Sequence, residues 1–535
     1  MTGNVMNLGR LLSDTARRLP DKPALVWGGR SWTWHAIDRR VDRLVAALRA
    51  RGHGHGDPIL VLARNSNQVF ESMWAAFKLG AVWTPCNFRL EPPEVAYIAR
   101  SSGAKAMIFE AGFEAHLAAV RDDDNALETF VAIDTVTDGG GGESYEALIE
   151  APGGPVGPEA EVDYGDPCWF FFTSGTTGRP KAAVLTHGQM AFVVNNHLAD
   201  LMPGLNWAND ASLVVAPLSH GAGVHALSQV ARGVVTVLGD GSRFDEEECW
   251  QLVERHRITN MFTVPLILTR LIRHPAVDRY DHASLRYVIY AGAPMYRADQ
   301  RLALEKLGKV IVQYYGLGEV TGNITVLPRE EHYLEDARMR IGSCGAPRTG
   351  MEIAIKDGQG HRLPSGEQGE ICVRGPAVFA GYHENPEANA QALKDGWFHT
   401  GDLGKLDAAG YLYITGRASD MYISGGANVY PREAEELLLT HPRVAEVAVL
   451  GVPDPQWGEA GVAVVVARGG PPAEPAALEA ELLAFLDGKL ARYKRPGRVF
   501  FWEALPASGY GKIPKHLVRQ ELYRRGDVQD RKADA

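Results

Sequence analysis

Short apolar runs alternate with helix-like patterns over residues 1 to about 400 of this chain. Apolar side chains recur at helical spacing over residues 41–48, residues 58–63 form a continuous apolar run typical of a buried strand, and residues 70–79 return to the helical pattern. Strands that alternate with helices assemble into layered sheets. The pattern therefore predicts an α/β fold in which ligand-binding groups lie on the turns after the strands.

The pattern changes near Arg417, which predicts a second domain. An amphipathic helix near residues 433–439 is followed by strand-like runs at residues 447–451 and 462–467. A chain of 535 residues is also too long for a single hydrophobic core. We therefore expect a large multi-sheet α/β domain over residues 1–417 and a small α+β domain over residues 418–535.

The composition is that of a globular protein, with 45% hydrophobic and 22% charged residues, and no apolar stretch approaches the roughly 20 residues of a membrane span. The formal charge of −10 disfavours a nucleic-acid-binding surface. The first 18 residues lack the pattern of a secretion signal, so we expect a cytoplasmic location. The cysteines lack metal-ligand spacing and are expected to be reduced core thiols: Cys86, Cys168, Cys249, Cys344 and Cys372.

Residues 172–181 have the composition of a phosphate-binding loop. Glycines allow the backbone amides to face an anion, hydroxyl groups add donors, and Lys181 adds a positive charge. The apolar run over residues 168–172 is typical of a buried strand that leads into such a loop. The glycine spacing differs from that of a Walker loop. A solvated surface loop is the alternative interpretation. The candidate phosphate-binding residues are Thr173, Ser174, Gly175, Thr176, Thr177, Gly178 and Lys181.

Five further motifs follow in order: residues 313–319 (QYYGLGE), 398–402 (FHTGD), 413–417 (YITGR), 424–433 (SGGANVYPRE) and 508–514 (SGYGKIP). Together with the phosphate loop they resemble the adenylate-forming superfamily, which contains acyl-CoA synthetases, adenylation domains and beetle luciferases. The resemblance covers nearly the whole chain. It implies a mobile C-terminal domain and a two-step reaction, in which a carboxylate attacks the α-phosphorus of ATP and a thiol then displaces AMP. The implied cofactors and substrates are ATP, Mg²⁺ and coenzyme A.

The resemblance also assigns roles around the nucleotide. Glu319 is expected to bind Mg²⁺, which prefers carboxylate and phosphate oxygens. Tyr315 is expected to stack on adenine, Asp402 to accept the ribose hydroxyls, and Arg417 to support ribose and phosphate. The remaining residues expected around ATP or AMP are Gly292, Ala293, Pro294, Tyr314, Gly316 and Gly318.

In the superfamily, a lysine of the C-terminal domain reaches between the carboxylate and the α-phosphate, and Lys512 matches it. We expect this charge to be needed for adenylation. The pivot between the domains corresponds to Ser419, where the superfamily usually has aspartate or lysine. A second departure is Gly318, which replaces a threonine whose hydroxyl is expected near the α-phosphate.

The thiol and acyl sites are implied by looser matches. Gly425 and Gly426 are expected to face the pantetheine channel, and Trp457, Tyr493 and Arg495 to contact CoA. His220 is expected to separate the acyl pocket from this channel, with a core histidine as the alternative. The other expected pocket residues are Gly221, Val224, Met261 and Leu317, and the small residues Gly221, Ala222, Gly223 and Gly318 are expected to leave room beside the carboxylate.

These residues favour an AMP-forming acid:CoA ligase for an apolar medium-chain, aromatic or polycyclic monocarboxylic acid. Amino acids are disfavoured, because His220 stands where amino-acid-activating relatives have an aspartate that pairs with the substrate ammonium. An enzyme that loads an acyl carrier protein is the main alternative. A luciferase-like oxidase and a non-catalytic nucleotide-binding regulator are less favoured. The sequence leaves open whether the chain forms a homodimer.

Overall fold

The computed structural model describes residues 4–134, 141–151, 157–173, 180–239, 244–293, 295–417, 420–424, 427–506 and 513–528. The strands in this part of the chain are β1 (Asn4–Val5), β2 (Pro23–Trp27), β3 (Arg30–Thr33), β4 (Pro58–Leu62), β5 (Val82–Pro85), β6 (Ala106–Phe109), β7 (Thr129–Ala132), β8 (Glu143–Ser144), β9 (Val162–Asp163), β10 (Pro167–Thr173), β11 (Lys181–Thr186), β12 (Ala211–Val214), β13 (Val235–Leu238), β14 (Asn260–Thr263), β15 (Tyr287–Tyr290), β16 (Ile311–Tyr315), β17 (Thr325–Leu327), β18 (Ser343–Pro347), β19 (Glu352–Lys356), β20 (Gly369–Arg374), β21 (Leu393–Lys394), β22 (Trp397–Leu406), β23 (Leu412–Arg417), β24 (Tyr422–Ser424), β25 (Ala427–Val429), β26 (Val444–Asp454), β27 (Gly458–Ala467) and β28 (Arg498–Phe501).

The helices of the same part of the chain are α1 (Arg10–Arg18), α2 (Trp34–Ala50), α3 (Asn67–Leu79), α4 (Pro92–Ser102), α5 (Glu114–Asp122), α6 (Tyr145–Glu150), α7 (His187–Asp200), α8 (Gly221–Arg232), α9 (Glu246–His256), α10 (Pro265–Arg273), α11 (Arg297–Leu307), α12 (Pro386–Ala392), α13 (Pro431–Leu439), α14 (Pro475–Phe485) and α15 (Lys515–Arg525). Short 3-10 helices span Pro275–Asp278, Gly318–Val320, Arg329–Glu331 and Arg492–Lys494.

Two large sheets form the N-terminal part. The first runs in the order β11-β10-β5-β4-β6-β7-β8, with parallel pairs except between β10 and β11. The second contains a parallel block, β16-β15-β14-β12-β13-β2, extended at both ends by antiparallel strands. Helix α3 is buried along its whole length within the main hydrophobic core, as expected of a helix packed on all sides. The predicted α/β fold is confirmed.

A smaller sheet forms the C-terminal part. Its strands run in the order β25-β24-β27-β26, and β28 pairs with β27. Apolar side chains cover both faces of this sheet: one face packs on α13 and α14, and the other on α15. The strand-like runs and the amphipathic helix of this region match β26, β27 and α13. The boundary at residue 417 stays a prediction, and residues 418 and 419 lie outside the described part of the chain.

The expectations for the cysteines and for a membrane span can be compared with the structure. All five cysteines are buried and free of disulfide bonds, which confirms that they are core thiols. Among the helices described above, none is both long enough and apolar enough to cross a membrane.

Candidate active site

Glu319 lies in the 3-10 helix that follows β16 and is buried, with 5% of its surface exposed. Its Oε1 atom accepts hydrogen bonds from the Thr173 hydroxyl at 2.9 Å and from the Tyr382 hydroxyl at 3.0 Å. Both of these bonds end on the same oxygen, so the carboxylate is held in one orientation and its Oε2 atom keeps its lone pairs for another partner. This donor set fits Mg²⁺, because that ion prefers carboxylate oxygens and Thr173 is the first of the predicted phosphate-binding residues.

Tyr382 was not identified from the sequence, although it links two predicted site residues. The ammonium of Lys181 lies 5.3 Å from the centroid of the Tyr382 ring, within the range of a cation–π contact. Burial and the neighbouring Glu319 carboxylate raise the pKa of Tyr382, so its hydroxyl stays protonated and remains a donor. A single tyrosine in a loop carries no sequence signal of this role.

Asp402 lies on β22 opposite Arg417 on β23, and these two residues pair in the antiparallel register. The Tyr315 hydroxyl donates to Asp402 Oδ2 at 2.6 Å, and Arg417 Nε lies 2.9 Å from Asp402 Oδ1. Burial and the Asp402 carboxylate raise the pKa of Tyr315 well above its usual value, and Asp402 is the main cause of the raised pKa of Arg417. Each carboxylate oxygen retains a lone pair for a ribose hydroxyl. The structure therefore brings these three predicted residues together.

A second layer of hydrogen bonds holds the turn that carries Asp402. Glu370 accepts from the Gly401 amide at 3.1 Å, and its other oxygen lies 2.7 Å from His399 Nδ1. The Thr400 hydroxyl donates to a backbone carbonyl of β20 at 2.7 Å and accepts from the Asp402 amide at 3.1 Å. Glu370, Cys372 and His399 lie close enough together to resemble a metal site. Here His399 Nδ1 is already hydrogen-bonded to Glu370 and lies 3.4 Å from Cys372 Sγ. These hydrogen bonds fix the backbone of residues 400–402 and so fix the position of the Asp402 carboxylate.

His220 is the N-cap residue of α8. The Ser219 hydroxyl lies 2.9 Å from His220 Nδ1, and the Phe171 ring approaches the imidazole edge-on with the centroids 5.2 Å apart. Phe171 belongs to β10, two residues before the strand end at Thr173. The strand that leads to the predicted phosphate-binding residues therefore also places an aromatic ring beside His220.

The small residues near His220 do not leave open room, contrary to expectation. A Cβ atom on Gly318 would lie 2.7 Å from the Phe171 ring and 2.8 Å from a methyl group of Thr173. On Gly221 it would lie 2.6 Å from the Phe262 ring, and on Gly223 it would lie 2.1 Å from a backbone carbonyl oxygen. These glycines allow aromatic rings and backbone to approach closely, and the rings already fill the space beside the helix.

Met261 is a second correction to the expected acyl pocket. Neighbouring residues of a strand point to opposite faces of the sheet. On β14, Phe262 packs in the main core with residues of α8, whereas Met261 packs in a separate cluster with Leu213 and Trp250. Met261 therefore faces away from α8. Val224 is buried on α8 and Leu317 is half-buried before the 3-10 helix, and their roles stay predictions.

Several predicted nucleotide-binding residues lie at the ends of β15 and β16. Gly292 and Ala293 are exposed directly after β15, and Gly292 has a φ of +85°. Gly316 approaches the backbone of Gly322 so closely that a Cβ atom would lie 2.4 Å from its Cα. Tyr314 is buried and stacks on Phe262 with a centroid distance of 5.9 Å. Its ring therefore lies on the acyl side of the strand.

Two of the predicted CoA-binding residues, Trp457 and Tyr493, lie near the β24–β25 hairpin. Ser424 pairs with Gly458, so the exposed Trp457 lies beside this hairpin, and β25 lies beside the 3-10 helix that contains the exposed Tyr493. The Arg495 guanidinium is paired with Asp487. The predicted residues that lie outside the described part of the chain are Ser174, Gly175, Thr176, Thr177, Gly178, Pro294, Ser419, Gly425, Gly426 and Lys512.

Comparison with known proteins agrees with this arrangement. The sequence profile of the AMP-binding enzyme family matches residues 12–383, and that of the AMP-binding enzyme C-terminal domain matches residues 433–512. The chain belongs to the AMP-binding enzyme family. This places it in the adenylate-forming superfamily and confirms the resemblance.

Several similar members of the AMP-binding enzyme family are named CoA ligases or synthases. A feruloyl-CoA synthase from Amycolatopsis is 38% identical over 95% of this chain and 97% of its own length. An indoleacetate–CoA ligase from Aromatoleum aromaticum is 36% identical over 97% of this chain and 99% of its own. The crystal structure of the anthranilate CoA ligase AuaEII with anthranoyl-AMP superposes with a TM-score of 0.87 at 26% identity, covering 98% of both chains.

Membership confirms the predicted enzyme class. The chain is an AMP-forming acyl-CoA synthetase that uses ATP and Mg²⁺, with CoA as a substrate. Bound Mg²⁺ would neutralise phosphate charge during adenylation. The Glu319 carboxylate, with both described hydrogen bonds on Oε1, is the group of this chain that fits the ion.

Proposed function

We propose that this protein adenylates an aromatic monocarboxylic acid and transfers the acyl group to CoA. The observation that carries the proposal is the combination of the Glu319 carboxylate, oriented by two donors, with the ribose-type site at Asp402. The two lie within electrostatic reach of each other, because Glu319 contributes to the raised pKa of Arg417. A site that orients both phosphates and ribose supports in-line attack on the α-phosphorus.

The aromatic preference is supported by the side chains beside His220. Phe171 lies edge-on to His220, and Phe262 stacks on Tyr314, so flat rings line the layer next to α8. Flat apolar walls favour a planar acyl group, because aromatic rings pack best in offset or edge-to-face arrangements. Three of the similar proteins have an aromatic acid in their names, ferulate, indoleacetate or anthranilate, whereas others are named fatty-acid ligases.

The reaction proceeds in two steps under this proposal. A carboxylate oxygen forms a bond to the α-phosphorus as the bond to pyrophosphate breaks, and the charge of Lys512 stabilises the negative oxygens. The CoA sulfur, having lost its proton, then bonds to the acyl carbon as the bond to AMP breaks. Gly425 and Gly426 would line the path of the thiol, with Trp457, Tyr493 and Arg495 on the CoA surface. Residues 418–535 would move relative to residues 1–417, with a pivot at Ser419.

A panel of acids tests the proposal. Purified protein is incubated with ATP, Mg²⁺ and either phenylpropenoate, benzoate, indoleacetate, octanoate, decanoate or malonate, and acid-dependent ATP–pyrophosphate exchange is measured. CoA and a phosphopantetheinylated acyl carrier protein are then compared as acceptors. We expect exchange to be fastest with an aromatic acid, and CoA to be acylated. A faster reaction with octanoate or decanoate would overturn the aromatic preference, and acylation of the carrier protein alone would establish the alternative acceptor.

A further inference from the structure

The layer between α8 and the parallel sheet contains two distinct rows of side chains. Residues that face α8 alternate along each strand, and the strands pair in register, so Ser212, Thr236 and Asn260 form one row across β12, β13 and β14. The next row toward the strand ends is apolar and includes Phe262. The inner row is therefore polar, although Thr236 and Asn260 are fully buried.

Helix α8 places two more polar side chains over this row. His225 and Gln229 are one turn apart and lie on the same face of the helix. The Gln229 amide nitrogen donates to Asn260 Oδ1 at 2.9 Å and lies 3.0 Å from His225 Nε2. The same His225 nitrogen lies 3.3 Å from Asn260 Oδ1, which only accepts, so one imidazole tautomer serves the Gln229 contact and the other serves the Asn260 contact.

Two polar atoms in this layer have no hydrogen-bond partner among the described residues. They are His225 Nδ1 and Thr236 Oγ1, and both are buried. An unpaired buried polar group costs about 1–3 kcal/mol, so two of them near one cavity indicate a ligand that supplies the missing bonds. Both residues line the same narrow cavity between α8 and the sheet, which is too tight to admit a water molecule in this arrangement.

The cavity lies next to the proposed acyl pocket. Ala222 and Phe262 are among its lining residues, and Phe262 packs against Gly221, the residue after His220. From residue 220 to residue 225 the helix rises about 7.5 Å, which is the length of one aromatic ring with a short spacer. An acid whose carboxylate lies near His220 would therefore place its far end near His225, once the Phe262 ring turns aside.

The surroundings select against a charged group at this end. Burial lowers the pKa of His225 to about 4, so the imidazole is neutral at physiological pH. Neutral side chains line the cavity. Burying an unpaired charge among them would cost far more than its hydrogen bonds return. A neutral hydroxyl group, as in a phenol, can donate to or accept from His225 Nδ1 in either tautomer and can also bond to the threonine hydroxyl.

We propose that His225 and Thr236 bind a neutral oxygen substituent at the far end of the aromatic acid, and so determine which aromatic acids this enzyme prefers. The inference rests on the proposed function, because it needs an acid bound beside His220. The sequence predicted an apolar acyl pocket. Under this proposal the pocket is apolar in its middle and polar at its far end.

Matched acids and matched variants test the inference. The value of kcat/KM for adenylation is measured with phenylpropenoic acid, its 2-, 3- and 4-hydroxy derivatives and its 4-methoxy derivative. We expect the wild type to prefer at least one oxygenated acid over phenylpropenoic acid. Thr236→Val keeps the side-chain shape and removes the hydroxyl, so this preference should fall about 5- to 10-fold, while Thr236→Ser should keep it.

Ser228→Ala is the control, because Ser228 lies on the same helix but its hydroxyl bonds to Val194 of α7. Its preference among the acids should be unchanged. His225→Leu should lower the preference as Thr236→Val does. If both variants retain the wild-type preference, or if the wild type favours the unsubstituted acid, the inference is wrong. Failure of the proposed function would give a different result from failure of this inference, because none of the acids would then form an acyl-adenylate.

Discussion

The nucleotide side and the acyl side of the site are built differently. On the nucleotide side, Asp402 and Glu319 each receive two hydrogen bonds or ion pairs from fixed partners. On the acyl side, aromatic rings fill the space beside α8, and two buried polar atoms there have no partner among the described residues. The chemistry common to the superfamily is thus preorganised, whereas the part that recognises the acid is closely packed and completed by its ligand.

The largest expected effect tests the nucleotide side through Lys512. A charge pair at about 4 Å contributes roughly 4 kcal/mol at an effective dielectric of 20, so Lys512→Ala should slow adenylation about 10³-fold. The same variant should still convert supplied acyl-adenylate to the CoA ester at nearly the normal rate. ATP–pyrophosphate exchange and the second half-reaction are measured separately. Equal loss of both would show that Lys512 does not act on adenylation alone.

The next effect concerns the metal. Glu319→Gln keeps the shape of the side chain and removes its charge, so adenylation should fall about 100-fold and the Mg²⁺ concentration for half-maximal rate should rise. Titration of the exchange rate with MgCl₂ measures both. An unchanged Mg²⁺ dependence would show that the carboxylate does not bind the ion.

On the acyl side, Gly318→Thr restores the threonine usual in the superfamily. Because a Cβ atom there would overlap the Phe171 ring, the variant should displace Phe171 from His220 and lower kcat/KM for the aromatic acid about 10-fold. Adding Phe171→Ala should recover part of the loss by making room. A gain in activity from Gly318→Thr alone would contradict the packing argument.

The smallest expected effect is that of Tyr382 on the nucleotide side, because Tyr382 acts only through Glu319. Tyr382→Phe removes one hydrogen bond from the carboxylate, so the Mg²⁺ requirement should rise about 3- to 5-fold with little change in the rate at saturating Mg²⁺. Tyr280→Phe is the control, since the Tyr280 hydroxyl bonds to Glu247, which is remote in the fold. An identical Mg²⁺ titration for the wild type and Tyr382→Phe would remove Tyr382 from the site.

The difference between the two sides also explains what the sequence could predict. Asp402, Arg417 and Tyr315 lie in ordered motifs, and the fold brings them together as expected. Apolar periodicity predicted the strands, but it did not show which face of β14 meets α8, so the sequence could not separate Met261 from Phe262.

The small residues were misinterpreted for a related reason. A glycine in a sequence indicates either open space or close packing, and only the position of its neighbour decides between them. For Gly318 and Gly221 those neighbours are Phe171 and Phe262, which are distant in sequence. The unpaired atoms of His225 and Thr236 are likewise visible only once α8 lies on the sheet.

Glu319 has one more consequence, because it contacts both large sheets. It follows β16 of the larger sheet, its carboxylate bonds to Thr173 of the seven-stranded sheet, and its own carbonyl accepts from the amide of Phe379 at 2.8 Å. The loop that carries Phe379 and Tyr382 pairs in turn with β11. A metal–nucleotide complex bound at Glu319 would therefore stabilise the contact between the two sheets. Binding would raise the free energy of unfolding, and the melting temperature should increase with occupancy of the site.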